Sequence, residues 1–272
     1  MATQLPKMNL LGFLRAVWRI LAGRPQTPSS LEGNELLKII HNRRSVRRFT
    51  KRKLPEDVFA AILEAGRLAP STVNLQTWSF ATFNAETWRV TFNRIIPFKA
   101  QQAVIVMGDA HRNRAVLNTF PHGSLVEYTV AVMNASLAAM NMNIAAEALG
   151  VSSVMLSETG RSGLLDIGYL KKKLSIPDNV FPIMTIIFGY ASKAYPPMPP
   201  KLPLDQICFA GGEYKETDPQ VLDDWMMQMT AGYKTSFPHS SLDVQLKVYK
   251  SKIVDAEKEL NRMVFHMQIH DQ

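Results

Sequence analysis

The sequence predicts an α+β fold, and three observations carry that expectation. Helical and strand-like segments mix along the chain without the regular βαβ alternation of a doubly wound sheet. The longest periodic segment, residues 125–149, is apolar almost all round, which places a helix in a core or a subunit interface. Four short segments, 79–83, 103–108, 152–156 and 183–190, are dense in β-branched, aromatic and other apolar residues and read as strands.

Taken in order, residues 8–22 (MNLLGFLRAVWRILA) set Leu10, Leu11, Phe13, Leu14, Val17, Trp18 and Leu21 at helical spacing, with Arg15 and Arg19 off that face. This amphipathic helix is open to three readings. It is an arm packed on the body or on a second subunit, a helix lying on a membrane surface, or part of a targeting segment. GRPQTPSS then breaks the pattern as a linker. A second helix covers 34–42. The next, LPEDVFAAILEAGRLA, opens with Pro55, Glu56 and Asp57, which suit a helix start, and buries Phe59, Ile62, Leu63 and Ala69. A helix over ETWRVTFNRI separates the first two strands. The 125–149 helix closes at Gly150, and SGLLDIGYLKKKL ends in three lysines that complement its dipole. Five prolines within YPPMPPKLPL force an extended arm. Two further helices follow, near 219–231 and 241–267. The expected division is an arm and linker at 1–33, a main domain at 34–212 and a helical extension at 213–272.

Composition narrows the chemistry. No window of 18 uncharged apolar residues exists, so no spanning helix is expected. One cysteine, Cys208, excludes an internal disulfide and any site built from several cysteines of one chain. It fits a cytoplasmic, reducing location. Residues 1–53 hold 12 of the 31 Lys/Arg and two of the 23 Asp/Glu, a local balance of +10; the remainder carries 19 against 21, or −2. So local an excess suits one anionic ligand, a membrane surface or an arm better than a nucleic-acid face. Phosphate-loop, dinucleotide-fingerprint and zinc-protease motifs are missing, and the six histidines lack metal-ligand spacing.

Four segments remain. RRSVR groups Arg43, Arg44, Ser45 and Arg47, and guanidinium forks with a hydroxyl suit a phosphate. PSTVNLQTW (70–78) crowds hydroxyls, an amide and a tryptophan into an irregular stretch. SVMLSETG (153–160) is a strand end opening into a polar turn. PPKLPL carries Lys201 in a rigid arm. Each is weak alone. Together and in this order they resemble the nitroreductase family of flavin enzymes, over about residues 35–208. RRSVRRF stands close to the family pattern R-R-S-x-R-x-F, and APSTVNLQTW close to A-P-S-x-x-N-x-Q-P-W. AAEALGV and the GY before the proline-rich arm match as well.

The resemblance implies a central, mostly antiparallel sheet flanked by helices, in an intertwined homodimer that binds flavin mononucleotide (FMN). It implies hydride transfer from NADH or NADPH through the flavin to a nitroaromatic or quinone-like acceptor, by alternating half-reactions. By resemblance, Arg43 holds the FMN phosphate, with Arg44 and Ser45 beside it, and Lys201 is a second phosphate ligand. Arg47 faces the flavin N1–O2 edge. Pro70, Ser71, Thr72 and Asn74 form a loop reaching the flavin of the other subunit, and Asn93 lies on the pyrimidine side. Met155, Leu156 and Ser157 fall where a backbone N–H meets flavin N5. Phe120 and His122 sit where the family varies a lid over the substrate. No side-chain acid or base is required. Thr77 stands where the family has proline, an exchange expected to loosen the turn. Reductive dehalogenation, flavin fragmentation and a non-catalytic FMN module are the alternative readings.

Overall fold

In the computed structural model, residues 8–116, 125–156 and 167–265 are described. They contain nine helices and four strands. The helices are α1 (Leu10–Ala22), α2 (Glu35–Asn42), α3 (Glu56–Arg67), α4 (Ala85–Phe92), α5 (His111–Val116), α6 (Leu125–Ala148), α7 (Ile167–Lys173), α8 (Pro219–Ser236) and α9 (Leu242–Phe265). The strands are β1 (Trp78–Asn84), β2 (Gln102–Asp109), β3 (Ser152–Leu156) and β4 (Val180–Gly189). The strands form one antiparallel sheet in the order β1-β2-β4-β3, as the α+β expectation requires. Among the described residues, no helix is long and apolar enough to cross a membrane.

The chain divides into two compact units, neither a single stretch: residues 1–29 with 196–251, and residues 30–195 with 252–272. The second unit holds the sheet. Its central strands are buried on both faces, with Val104, Ile105, Val106, Ile186, Ile187 and Phe188 fully or almost fully shielded. One face packs on α3 and α6 through Ile62, Ala138, Ala139 and Met142. The other packs on α4 and α7 through Trp88, Phe92 and Leu170. Small residues let α6 approach the sheet closely. Ala131, Ala135, Ala138, Ala139 and Ala146 are all buried, and the helix stops at Gly150 with φ +69°.

The 125–149 segment is thus one helix, but it is not sheathed all round within one chain. Met133, Leu137 and Met140, at i, i+4 and i+7, stay exposed, as do Leu125 and Val126. In the first unit α1 packs against α8. Its buried residues are Ala16 and Ile20, and Arg19 pairs with Asp224 at 3.2 Å. Leu10, Leu11, Leu14, Trp18 and Leu21 are more than half exposed in the chain, because only the flank through Ala16 and Ile20 meets α8. Residues 111–116 form the short helix α5.

Two glycines measure how tightly α6 is held. A Cβ at Gly108 would lie 3.1 Å from the Ala131 backbone carbon of α6, whereas one at Gly66 would lie 2.8 Å from the Met142 side chain. Backbone cannot step aside as a methionine side chain can. Gly108→Ala should therefore cost roughly 1–3 kcal/mol. Gly66→Ala should cost less, since alanine also favours the helix by about 1 kcal/mol. Urea midpoints of the two variants check the order.

Candidate functional site

The basic segment starts where α2 ends. Asn34 caps the helix start by accepting from the Leu37 N–H at 3.0 Å, and the Arg43 N–H closes its end on the Ile39 carbonyl. Arg44 Nη1 donates to the carbonyls of His41 (2.6 Å) and Arg43 (2.8 Å), a cation on the negative end of the helix dipole. The chain then runs beside β3. Ser45 bridges Ser153, and the Val46 N–H donates to the Ser153 carbonyl at 3.0 Å. Beyond that it crosses to the extension of β4, where the Thr50 N–H reaches Tyr190 and the Ser192 N–H reaches Arg48. Val46 is buried, so in extended backbone Ser45 and Arg47 project to the other side. Arg47 is exposed as a whole, yet the protein packed around its guanidinium lowers its pKa. The Arg44 pKa is lowered too, by burial first and then by Arg43.

Below this segment, the C-terminal turn of α6 meets the start of β3. Asn143 is fully buried; its Oδ1 accepts from Ser153 Oγ at 3.3 Å and its Nδ2 has no partner. Tyr195 Oη shares a 2.8 Å hydrogen bond with Ser152 Oγ and donates to Glu147 Oε2 at 3.2 Å. Burial raises the Glu147 pKa, while the Tyr195 hydrogen bond, Arg43 and Arg44 pull it back down. Sequence reasoning missed these groups, although Asn143 and Glu147 stand out as polar positions in an otherwise apolar helix.

The loop before β1 is held at its base by Asn134 of α6. Asn134 Oδ1 accepts from the Thr72 N–H (3.1 Å) and hydroxyl (3.2 Å), and its Nδ2 donates to Thr77 Oγ1 at 2.8 Å. Ser71 Oγ accepts from the Gln76 N–H at 3.0 Å. Thr77 is therefore a buried anchor, against the expectation that losing the proline loosens this turn. The anchors support strained backbone. Val73, Asn74 and Gln76 all have positive φ, and the β-branched Val73 is 88% exposed at φ 48°.

The two regions lie far apart in one chain. Ser45 joins the β3 edge near the end of the sheet marked by Gln102 and Phe188, whereas the 70–77 loop enters β1 at the end marked by Gly108 and Phe181. Four strand spacings, the last from β3 to Ser45 itself, and six residues of rise separate them, roughly 28 Å on the diagonal. Met155 and Leu156 lie in β3, one half-buried and the other buried, on the strand that Ser45 bridges. Asn93 ends α4 in the left-handed region (φ 51°); its neighbour Phe92 and the segment's Phe49 pack into the same apolar cluster. Lys201 belongs to the other compact unit, where Trp225 Nε1 donates to the Pro200 carbonyl at 3.4 Å. Ser157, Phe120 and His122 lie outside the described residues. Among the described residues, no group of His, Cys, Asp and Glu is arranged to hold a metal.

Residues 40–190 match the sequence profile of the nitroreductase family, more than half of the chain. The chain belongs to that family. Among curated relatives, a protein of Archaeoglobus fulgidus named as an NADH dehydrogenase/NAD(P)H nitroreductase is 30% identical over 168 residues, 60% of this chain and 86% of that one. An NADPH-dependent oxidoreductase of Staphylococcus aureus is 24% identical over 216 residues, covering 74% and 83%. Among solved structures, nitroreductase A of Vibrio parahaemolyticus superimposes with a TM-score of 0.66 at 17% identity, over 80% of this chain and 91% of that one. The NADPH:FMN oxidoreductase of Vibrio harveyi, solved with NAD+, gives 0.67 at 17% identity over 84% and 98%. These two establish the fold. Family and relatives together make the chain an oxidoreductase of the flavin-associated type.

Asn134 gives the loop its test. Asn134→Ala leaves the buried Thr77 hydroxyl and the Thr72 N–H without their partner, and should destabilise the protein by about 1–3 kcal/mol. Proteolysis should then cut within residues 71–77 before any other described loop, as a timed digest followed by mass spectrometry would show.

Proposed function

We propose that this chain is an FMN-dependent oxidoreductase, passing hydride equivalents from NADH or NADPH to a nitroaromatic or quinone-like acceptor in two alternating half-reactions. The observation that supports it most is the Arg43–Arg47 segment. A segment joined to β3 by a bridge at Ser45 and the Val46 N–H carries three arginines and a serine within five residues, donor types that suit a phosphate monoester. FMN, when bound, would supply the two-electron chemistry between nicotinamide and acceptor.

The protein's own part is then binding and electrostatics. Arg43, Arg44 and Ser45 hold the phosphate, with Lys201 from the proline-rich arm as a further cation. Arg47 keeps a partly desolvated positive charge where reduction leaves negative charge on the ring, which favours the reduced form. Met155, Leu156 and Ser157 offer backbone at the reacting edge, and Asn93 the pyrimidine side. Phe120 and His122 border the acceptor. One pocket serving donor and acceptor in turn yields ping-pong kinetics.

The second half of each site comes from a second copy. Pro70, Ser71, Thr72 and Asn74 belong beside the flavin in this reading, yet in their own chain they lead into the start of β1, roughly 28 Å across the sheet from Ser45. The exposed Met133, Leu137 and Met140 stripe of α6 gives that copy an apolar face to cover. Residues 34–212 are then the cofactor-holding part and 1–33 and 213–272 the extensions that serve the dimer, although Met263 and Val264 of the last helix pack into the sheet-bearing unit.

The visible spectrum of the purified protein, and the chromophore released on denaturation, test this first. Released FMN, reduced by NADH or NADPH, is expected; a protein that neither carries nor takes up FMN would overturn the reading. Arg43→Ala should weaken FMN binding roughly 10–100-fold, the loss of a charge-assisted contact. Arg47→Ala should instead slow reduction of the bound flavin by roughly tenfold or more while binding changes less, read by stopped-flow absorbance.

A further inference from the structure

We infer that Glu147 sets the strength of the phosphate grip: its carboxylate, held beside Arg43 and Arg44 by the Tyr195 hydroxyl, opposes the incoming dianion and makes FMN binding depend on its protonation. The inference rests on the FMN reading above.

Glu147 sits in the last turn of α6, at the negative end of the helix dipole, where a carboxylate is disfavoured. It is half-buried, and its direct partner is Tyr195 Oη at 3.2 Å. The same hydroxyl is tied to Ser152 Oγ at 2.8 Å, so its position is fixed by β3, the strand that Ser45 and Val46 pair with through Ser153. The carboxylate is therefore locked to the same strand edge as the basic segment. The charged and titratable groups that face it are Arg43 and Arg44, from the stretch after α2, and Tyr195, from the stretch after β4. Two cations and one anion thus share this corner.

A phosphate entering it gains from both guanidinium groups and is repelled by Glu147. Protonation of Glu147 removes the repulsion. Burial already moves this carboxyl upward from its ordinary range, and a bound dianion moves it further the same way. FMN binding then takes up a proton at Glu147. The sign follows: binding is strongest below the Glu147 pKa and weakens as pH rises through it. Removing the Tyr195 hydroxyl takes away a hydrogen bond that favours the ionised form, so the weakening should begin at a higher pH.

The test compares FMN with riboflavin, which lacks the phosphate, by fluorescence titration of the full-length apoprotein across roughly pH 5 to 8. The phosphate's own second ionisation, near pH 6, is common to every variant and cancels in comparison. Glu147→Gln should tighten FMN roughly threefold or more at neutral pH, leave riboflavin unchanged, and lose the decline with rising pH. Tyr195→Phe should keep the decline with its midpoint moved upward. A purely structural role would weaken both ligands together and move no midpoint. An unchanged or weakened FMN/riboflavin ratio in Glu147→Gln overturns the inference. If that variant loses riboflavin as well, the Tyr195→Phe midpoint decides, and an unmoved midpoint is equally fatal. Failure of the parent protein to bind either flavin would instead remove the FMN reading itself.

Discussion

The packing of α6 against the sheet is the constraint from which the rest of the structure follows. Its buried alanines bring backbone against backbone, so close that a methyl group at Gly108 would meet the Ala131 main chain. A helix held that tightly is a rigid ruler. Asn134, Asn143 and Glu147 are three of its polar positions. Asn134 anchors the strained 71–77 loop, Asn143 meets Ser153 where the basic segment joins β3, and Glu147 meets Tyr195 one turn later. Both halves of the candidate site are positioned by side chains of a single helix. A shift of α6 would disturb both together.

Polar groups inside an apolar helix carry a desolvation cost, and Asn134, Asn143 and Glu147 are each tied to the loop or the basic segment. The Asn134 amide meets it with three hydrogen bonds, which hold Val73, Asn74 and Gln76 in left-handed backbone. Asn143 keeps an unpartnered Nδ2 beside Ser153. Glu147 remains half-buried with its pKa raised. Three of the eight described non-glycine residues with positive φ lie in the loop, and one of the three unpartnered buried side-chain atoms lies beside the basic segment.

Much of this was legible in the sequence. The acidic first turn of α3 and Gly150 after α6 marked helix ends through local chemistry that holds in any fold. Strand segments announced themselves by β-branched and aromatic density. The basic segment and the 70–78 stretch were visible as motifs, although their separation across the sheet depends on strand order, which no local pattern encodes. The Asn134 anchor was hidden because a helix read as uniformly apolar draws attention away from its few polar positions. Thr77 looked like a weakened proline turn because its hydroxyl's partner lies 57 residues away. On α1, amphipathic spacing gives the width of an apolar stripe, and only tertiary packing decides which flank is covered.

The central claim is that each site takes its phosphate grip from one chain and its 70–74 loop from another. Mixing two variants, at an FMN concentration that leaves each alone largely unoccupied, tests it most directly: Arg43→Ala, and a second carrying alanine at Ser71, Thr72 and Asn74, unfolded together and refolded at equal ratio. If the site is shared, half of the dimers are mixed, and each mixed dimer has one site with both native halves. About a quarter of the parent's FMN binding and reductase activity should return. Recovery of nothing, with the parent refolding fully under the same conditions, would place both halves of the site in a single chain and contradict the account.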